Sequence, residues 1–373
     1  MLALRPHHIA PSRRLATLLA LLAASLPTPG QADPLDPLAF APLGTLSLAA
    51  GQYLIDTSGA APTLQNAAHQ TLYTGVLFDQ GTTFNRTVAV FDFQAISVAA
   101  GATLTASGDR PLALLSRAGF SLAGTLDAAG RNGGNQGAGV GGAGGPGAGA
   151  GGNGSPGTGQ AQPGGGPGGG GGGYDGLGNG SWGNGGAHGG DGNGWNPALT
   201  ASLAYGDLPH QLLAGSGGGG TGRNLFGTGA GGGGGGGAVE LGASGNLTLA
   251  VTGKVLAAGG LGGSGLAVNG GGGSGGGLFF HAPSISFEAS VLGLPEARAD
   301  GESGGRIAFL TADGTVAGNL NSVTVSGAGF GHPGVITFGV LAAVPEPASL
   351  ALMLSGLGGL VMLRARMRRQ QAA

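Results

Sequence analysis

Large apolar residues recur at every second position in several short stretches of this chain, with Gly, Ser or Asp between the stretches. The clearest stretches are residues 95–98, 102–105, 112–115, 120–127, 238–241 and 246–251. Alternation with a period of two is typical of a half-buried β-strand, whereas an amphipathic helix has a period of about 3.6 residues. The pattern therefore predicts an all-β body made of short strands.

One phrase of this pattern is repeated. Residues 124–130 read Gly-Thr-Leu-Asp-Ala-Ala-Gly, and residues 253–259 read Gly-Lys-Val-Leu-Ala-Ala-Gly. A third version runs through residues 278–318. Units of roughly twenty residues with glycine corners are typical of β-solenoid rungs, because one rung buries its inward face only when another stacks on it. We therefore expect a parallel β-helix. A β-sandwich is the alternative, because it is built from strands and turns of similar length.

The repeats also suggest how the chain is divided. We expect solenoid rungs at residues 94–130 and 238–341, separated by a glycine-rich insertion at 131–237. Residues 33–93 contain strand-like segments of their own, and we expect this N-terminal β region to cap the solenoid, whose open end would otherwise invite edge pairing.

Glycine supplies 90 of the 373 residues and is concentrated in the insertion and again near 259–277. The glycines follow no strict Gly-X-Y period, which excludes collagen. Runs such as 168–173 and 231–237 carry no side chain that could pack, and glycine loses the most backbone entropy on ordering. We expect these runs to be loops, with 131–237 projecting from one corner of the solenoid.

The N-terminal residues have the pattern of a secretory signal peptide. Arg5, Arg13 and Arg14 precede an uncharged run at 15–26, and Gly30 and Ala32 then supply small residues for cleavage. This pattern predicts a signal peptide at 1–32 that is cut after Ala32. The general secretion route is favoured, since the residues after the arginine pair fit a twin-arginine signal poorly.

The last thirty residues combine a turn, an apolar stretch and a basic cluster. Pro345 and Pro347 cannot continue a helix or a central strand, so they separate this tail from the body. Residues 348–363 carry no charge and would form roughly 24 Å of helix, against a hydrocarbon core of roughly 30 Å. The cluster that follows consists of Arg364, Arg366, Arg368 and Arg369. Because such clusters stay on the cytoplasmic side of a membrane, we expect a single transmembrane helix here rather than a buried core helix.

The body is acidic and has no thiol chemistry. Of 15 lysines and arginines, three lie in the leader and four in the tail, and of 17 acidic residues Glu346 lies in the tail, which leaves 8 cations against 16 anions, a net charge of about −8. A surface of that sign repels phosphate backbones and argues against nucleic acid as a partner. Cysteine is absent, which excludes disulfides and thiolate metal sites.

The tail resembles a known sorting signal. Val344-Pro345-Glu346-Pro347, a short apolar stretch and a terminal arginine cluster are similar, in kind and order, to the PEP-CTERM signal of Gram-negative bacteria, over residues 344–371. In that family the signal is held in the inner membrane and processed by an exosortase, and members travel to the cell surface or into exopolysaccharide. The resemblance implies that Pro345, Glu346 and Pro347 are recognised by such an enzyme as substrate. The body is also similar in style to glycine-rich, solenoid-type surface proteins of bacteria.

Residues that could carry chemistry are few. The five histidines of the body lack the spacing of a metal-binding pair. They are His69, His188, His210, His281 and His332. Residues 189–195 resemble one copy of a calcium-binding glycine-aspartate repeat, but real sites of that kind stack several copies. We therefore expect no cofactor and keep Ca²⁺ only as the alternative to a plain loop.

Three aromatic residues form the candidate saccharide site. Tyr174, Trp182 and Trp195 lie in the glycine-rich insertion. The asparagines near them are Asn179, Asn184, Asn193 and Asn196. Flat rings stack on sugars and amides hydrogen-bond to them, although the same rings could simply anchor the insertion to the solenoid.

An enzyme is the remaining alternative, since β-helices also host polysaccharide lyases. Such sites group acidic and basic residues on one face, whereas here the acids fall in turns or singly on strands and Lys254 is the only lysine. The acids in question are Asp109, Asp127, Glu240, Glu288 and Asp313. We therefore expect a non-enzymatic surface or matrix structural protein, with carbohydrate binding or adhesion as the first alternative and a polysaccharide-degrading enzyme as the second.

Overall fold

The computed structural model describes residues 34–341, except 138, 158, 175–180, 193, 195–198, 200–201, 224–227, 266–267, 289–295, 299–301 and 329–330. β-Strands dominate this part of the chain, and its helical content is a single 3₁₀ turn at Pro37–Ala39. The prediction of an all-β class is therefore confirmed. The described residues include no helix with the length and hydrophobicity needed to cross a membrane. The transmembrane helix predicted within 344–371 lies outside them.

The strands form three sheets. Sheet A contains β1 (Thr45–Leu48), β7 (Ala95–Val98), β10 (Phe120–Leu122), β13 (Asn246–Leu249), β16 (Ser284–Phe287) and β19 (Val316–Gly318). Sheet B contains β2 (Gly51–Asp56), β3 (Thr63–Asn66), β4 (Thr71–Thr74), β8 (Ala102–Ser107), β11 (Thr125–Asp127), β14 (Lys254–Leu256), β17 (Glu296–Arg298) and β20 (Val323–Thr324). Sheet C contains β5 (Val76–Asp79), β6 (Thr87–Phe93), β9 (Leu112–Ser116), β12 (Ala238–Ala243), β15 (Gly277–His281), β18 (Arg306–Thr311) and β21 (Val335–Val340).

The chain visits the three sheets in a repeating order. From β6 onward each strand in sheet C is followed by one in sheet A and then one in sheet B, and each strand pairs in parallel with the equivalent strand of the next turn. β1 and β2 already belong to this winding, which therefore begins at Thr45 rather than at residue 94, where the sequence predicted the first rung. Antiparallel pairing is confined to β3, β4 and β5, at the N-terminal edges of sheets B and C.

Inward-facing side chains of successive turns lie directly over one another. In sheet A the register aligns Leu46, Ile96, Phe120, Leu247 and Ile285, all of which are buried. In sheet C the rings of Phe280, Phe309 and Phe338 are stacked, with centroids 5.0 and 5.3 Å apart. Because parallel in-register strands place like positions one above another, the period-two pattern of each strand becomes a continuous apolar core.

The glycine-rich stretches form a hydrogen-bonded body, which we call the glycine array. Its described segments are 128–137, 139–146, 148–155, 161–166, 168–174, 181–190, 214–222, 229–237, 257–264 and 270–277. In segment 214–222, successive backbone amides donate to different neighbouring segments. The same neighbour recurs at every third residue. Gly215, Gly218 and Thr221 donate to segment 229–237, Gly217 and Gly220 donate to 161–166, and Gly219 and Gly222 donate to 181–190. A polyproline-II helix has three residues per turn and no internal hydrogen bonds, so its amides point outward in this way.

Apart from Gly277, the first residue of β15, these stretches carry no helix or strand, as expected of loops, but the expectation that they bury little is wrong. Residues 231–237 are all buried, and they are buried by other backbones rather than by side chains. A Cβ added to Gly232 would lie 2.0 Å from the carbonyl oxygen of Gly218, and one added to Gly141 would lie 1.9 Å from that of Gly151. Only glycine allows so close an approach, and the resulting hydrogen bonds compensate for its loss of backbone entropy.

The array leaves the winding after β11 of sheet B and returns at β12 of sheet C, and residues 208–214 pack on the outer face of sheet C. There Ala113 and Phe279 pack with Leu208, Leu212 and Ala214 in a second apolar cluster. Several segments also continue directly from a strand or into one: 128–137 follows β11, 229–237 leads into β12, and 270–277 leads into β15. The reason is that β9 and β12 are neighbours in sheet C, so the residues between them must leave and return at the same place.

Candidate functional site

The end of the glycine array away from the sheets gathers residues from many segments; we call it the far end. The hydrogen-bond register places Ser155 beside Thr221 and Gly229, and Ser181 beside Gly222 and Tyr174. From this end, segment 229–237 runs toward the sheets and leads into β12. The far end is therefore the part of the array where side chains accumulate at its surface.

Two of the three predicted aromatic residues lie at the far end. The Ser181 amide donates to the Tyr174 carbonyl oxygen at 3.0 Å, and the Ser181 hydroxyl donates to the same oxygen at 3.1 Å. Tyr174 is exposed, and Trp182, next to Ser181, is half-buried. Trp195 lies outside the described residues. The structure thus brings Tyr174 and Trp182 to one end of the array.

The neighbouring asparagines do not all share this position. Asn184 is completely buried, and its backbone exchanges hydrogen bonds with Gly171 and Gly219 inside the array. The prediction that its side chain assists sugar binding at the surface is therefore wrong, because the array encloses it. Asn179, Asn193 and Asn196 lie outside the described residues.

The described residues contain a buried acid–imidazole pair that the sequence analysis did not bring together. His281 Nε2 lies 2.9 Å from Glu240 Oε1, with both side chains at most 4% exposed. The Leu35 amide donates to the same oxygen at 2.7 Å. Nε2 has no hydrogen bond of good geometry, so the pair is a close contact rather than a linear bond. Gly242 makes room for the ring, since a Cβ there would lie 2.2 Å from Nε2.

The pair is invisible in the sequence because Glu240 and His281 occupy outer positions of sheet C, which would face solvent if the array were loops. The only usable signal was the strand register, which aligns Gly242 with His281. In the structure the pair fastens the N-terminal segment to the sheet, and no solvent-facing group of it is available to a substrate.

A second buried polar cluster surrounds His188. Its Nδ1 lies 3.0 Å from the Gly275 carbonyl oxygen and 3.2 Å from that of Gly276, so Nδ1 carries the proton. Burial, assisted by the charge of Arg306, lowers the pKa of His188 to about 4. The imidazole is therefore neutral at neutral pH.

Tyr205 joins this cluster to the array. Its hydroxyl donates to the Ala214 carbonyl oxygen at 2.5 Å and lies 2.9 Å from Ser216 Oγ. Burial raises the pKa of the Tyr205 phenol and lowers the pKa of the half-buried Arg306 guanidinium, which donates to the Tyr205 carbonyl oxygen at 2.9 Å. Apart from His188 Nε2, which is buried without a hydrogen-bond partner, these groups satisfy one another inside the fold, where they can hold segments together.

Four of the five acids named as enzyme candidates have separate partners, and the fifth, Glu288, is exposed. Asp109 pairs with Arg110 at 2.9 Å, Asp127 with Arg131 at 3.8 Å, and Glu240 with His281. Asp313 accepts hydrogen bonds from Thr315, which lower its pKa. Among the residues that the structure describes, no three histidine or acidic side chains are grouped to hold a metal ion.

The single glycine-aspartate motif can be followed only in part. The carboxylate of Asp191 accepts a hydrogen bond from the Ala204 amide at 2.6 Å, while Asn193 and Trp195 lie outside the described residues. The Gly192 amide also donates to the Ser202 carbonyl oxygen at 2.8 Å, so the described part of the motif is tied to residues 202–204.

Comparison with known proteins gives no relative: no protein-family model, no curated protein and no solved structure matches the chain.

Proposed function

We propose that this chain is an exported structural protein of the cell surface or extracellular matrix, sorted by an exosortase-type system. Support for export comes from the signal-peptide pattern of residues 1–32, and support for sorting from the resemblance of 344–371 to the PEP-CTERM signal. Its partners would be an exosortase-like enzyme, the inner membrane during sorting, and exopolysaccharide at the surface. It would act without catalysis.

The observation that carries the proposal is the continuity between strands and array. Strands of sheet C and segments of the array alternate along one chain and share one hydrogen-bonded body, as where Gly237 donates to Ala128 and leads into β12. We infer that the winding of the three sheets is a parallel β-helix and that the array stiffens it along sheet C. A body stabilised by backbone hydrogen bonds and packing, with no cysteine, suits a load-bearing role outside the cell.

The outer face of sheet A also supports a role in a polysaccharide matrix. The register aligns the hydroxyl-bearing residues Ser47, Ser97, Ser121, Thr248 and Ser286 across successive turns. The six strands of sheet A, as described above, contain no charged residue. An ordered, uncharged hydroxyl surface exchanges hydrogen bonds with hydrated neutral polymers without the cost of burying charge.

Intact-mass analysis of the protein recovered from envelope and medium tests the proposal. We expect loss of residues 1–32 and a second cut near Pro345–Pro347, which together give one defined mature mass. Replacing Pro345, Glu346 and Pro347 by alanine should leave the second cut unmade and the protein in the inner membrane, whereas Pro42→Ala, at an exposed body position, should be processed normally. Full-length polypeptide in the cytosol with both ends uncut would overturn the proposal.

The second candidate function is carbohydrate binding through the far end, and the placement of Tyr174 and Trp182 there favours it. Replacing both rings by alanine should abolish retention on the host exopolysaccharide, because ring stacking supplies much of the contact with a sugar. Leu203→Ala, which removes a side chain that is 72% exposed without removing a ring, is the matched control. Unchanged retention of the ring variant would remove this candidate.

A further inference from the structure

A groove of about 400 Å³ opens at the far end of the glycine array. Its walls come from residues 153–156, from 160–162, from 139–140 and from Thr228. The side chains that matter here are Val140, Asn153, Pro156, Gln160, Gln162 and Thr228. A concave site with a few placed polar groups is the usual form of a small-ligand site.

Two amide side chains of the groove have a fixed orientation. Asn153 Oδ1 accepts a hydrogen bond from the Gly141 amide at 2.8 Å, so the Nδ2 group is the part of Asn153 that can donate to a ligand. Gln160 Nε2 donates to the Gly172 carbonyl oxygen at 3.0 Å, so Oε1 is the part that can accept. The rigid array thus presents one oriented donor and one oriented acceptor, and such support by the scaffold is what a selective site requires.

The groove is uncharged and partly apolar. None of its lining residues is acidic or basic. Val140 is 61% exposed, and Pro156 beside the amides is also exposed. A sugar ring has hydroxyls on its edge and apolar C–H groups on its face, and a lining of amides, hydroxyls and small apolar groups matches both. An acidic sugar would bury its carboxylate here without a cation to pair with it, which is costly.

We propose that this groove binds neutral hexose saccharides and discriminates against uronic acids. The proposal rests on the saccharide-binding candidate and adds to it a location and a ligand class. Gln160 is bonded to Gly172, two residues before Tyr174, so the groove and the exposed ring belong to the same end of the array. A chain of several sugars could therefore occupy the groove and reach the ring.

The test is calorimetric titration of the secreted, full mature protein with four hexasaccharides: those of glucose, mannose and galactose, and hexagalacturonic acid. We expect at least one neutral probe to bind about tenfold or more tightly than the acid. Asn153→Asp keeps the oxygen that accepts from Gly141 but replaces the donor by a charged acceptor, and it should weaken binding of the neutral probe by about tenfold, the loss expected for one hydrogen bond. Gln52→Glu adds the same charge at an exposed position of sheet B and should change nothing.

Three outcomes count against the groove. Absence of binding by all three neutral probes, equal binding of hexagalacturonic acid, or unchanged binding by Asn153→Asp would overturn the proposal. A parallel Trp182→Ala variant separates the two ideas. If that variant loses binding while Asn153→Asp keeps it, the groove assignment fails and the saccharide-binding candidate stands. If the reverse holds, the groove stands without the indole ring of Trp182.

Discussion

His281 Nε2 lies 2.9 Å from Glu240 Oε1 on the outer face of sheet C, where the Leu35 amide also donates to Glu240. Position 240 reads as an exposed strand position in the sequence, and only the covering of sheet C makes it buried. The pair therefore reports whether the N-terminal segment is docked on the sheet.

Glu240→Leu should destabilise the protein by about 1–3 kcal/mol, because it leaves the Leu35 amide buried without its acceptor and removes the polar contact of the buried His281 imidazole. Glu240→Gln keeps an oxygen for Leu35 and should cost less. Denaturant unfolding gives both free energies, and limited proteolysis near residue 35 should show the N-terminal segment released in the leucine variant. Equal stability of the leucine variant and the wild type would show that the pair does not fasten this segment.

Gly232→Ala tests the packing of the array. Its new Cβ would lie 2.0 Å from the Gly218 carbonyl oxygen, so two segments must separate and their hydrogen bonds must lengthen. We expect a loss of about 2–4 kcal/mol in unfolding free energy, as for other overpacked or broken buried networks. Gly157→Ala is the matched control, since nothing lies within 4 Å of its Cβ. It should be neutral or stabilising by about 0.4–1 kcal/mol through the unfolded chain. Similar losses for both would contradict a close-packed array.

The sequence predicts the sheets better than the array, and the reason is physical. The alternation of apolar and polar residues predicts that Leu46, Ile96 and Phe120 face inward. The repeats then predict that such positions stack in successive turns. The array is held by bonds such as that from Gly142 to Gly232, between residues that are distant in the chain and have no side chains. No local pattern records such contacts.

The candidate site divides in the same way. Tyr174 and Trp182 stand out in the sequence as rings among glycines. Asn153 and Gln160 do not stand out, because amide side chains are common in polar loops. They become candidate ligand contacts only in the structure, where the array fixes their orientation. Asn184 is the opposite case. It lies near the rings in the sequence, which predicts a position beside them at the surface, but in the structure it lies inside the array.

The stability of the fold should fall in mild acid because of His188. Burial lowers its pKa from 6.5 to about 4, so between these values the unfolded chain binds a proton that the folded protein does not. The stabilisation is fully present above about pH 6.5 and is lost as the pH falls toward 4. His188→Gln should flatten this part of the profile of unfolding free energy against pH. His332→Gln, at an exposed position, should leave the profile unchanged. An identical acid slope in wild type and His188→Gln would contradict the assignment.

The stacked rings of sheet C allow a graded test of the inner core. Phe309 is 1% exposed and lies between the rings of Phe280 and Phe338, with centroids 5.0 and 5.3 Å away. Phe309→Ala removes contacts on both sides and should cost about 3–5 kcal/mol. Phe338 is 48% exposed on the last described strand of the sheet, so Phe338→Ala should cost only about 1–2 kcal/mol. Urea unfolding of the two variants checks the order. A loss at Phe338 as large as that at Phe309 would contradict the prediction, because a half-exposed ring with one stacked neighbour has less buried surface to lose.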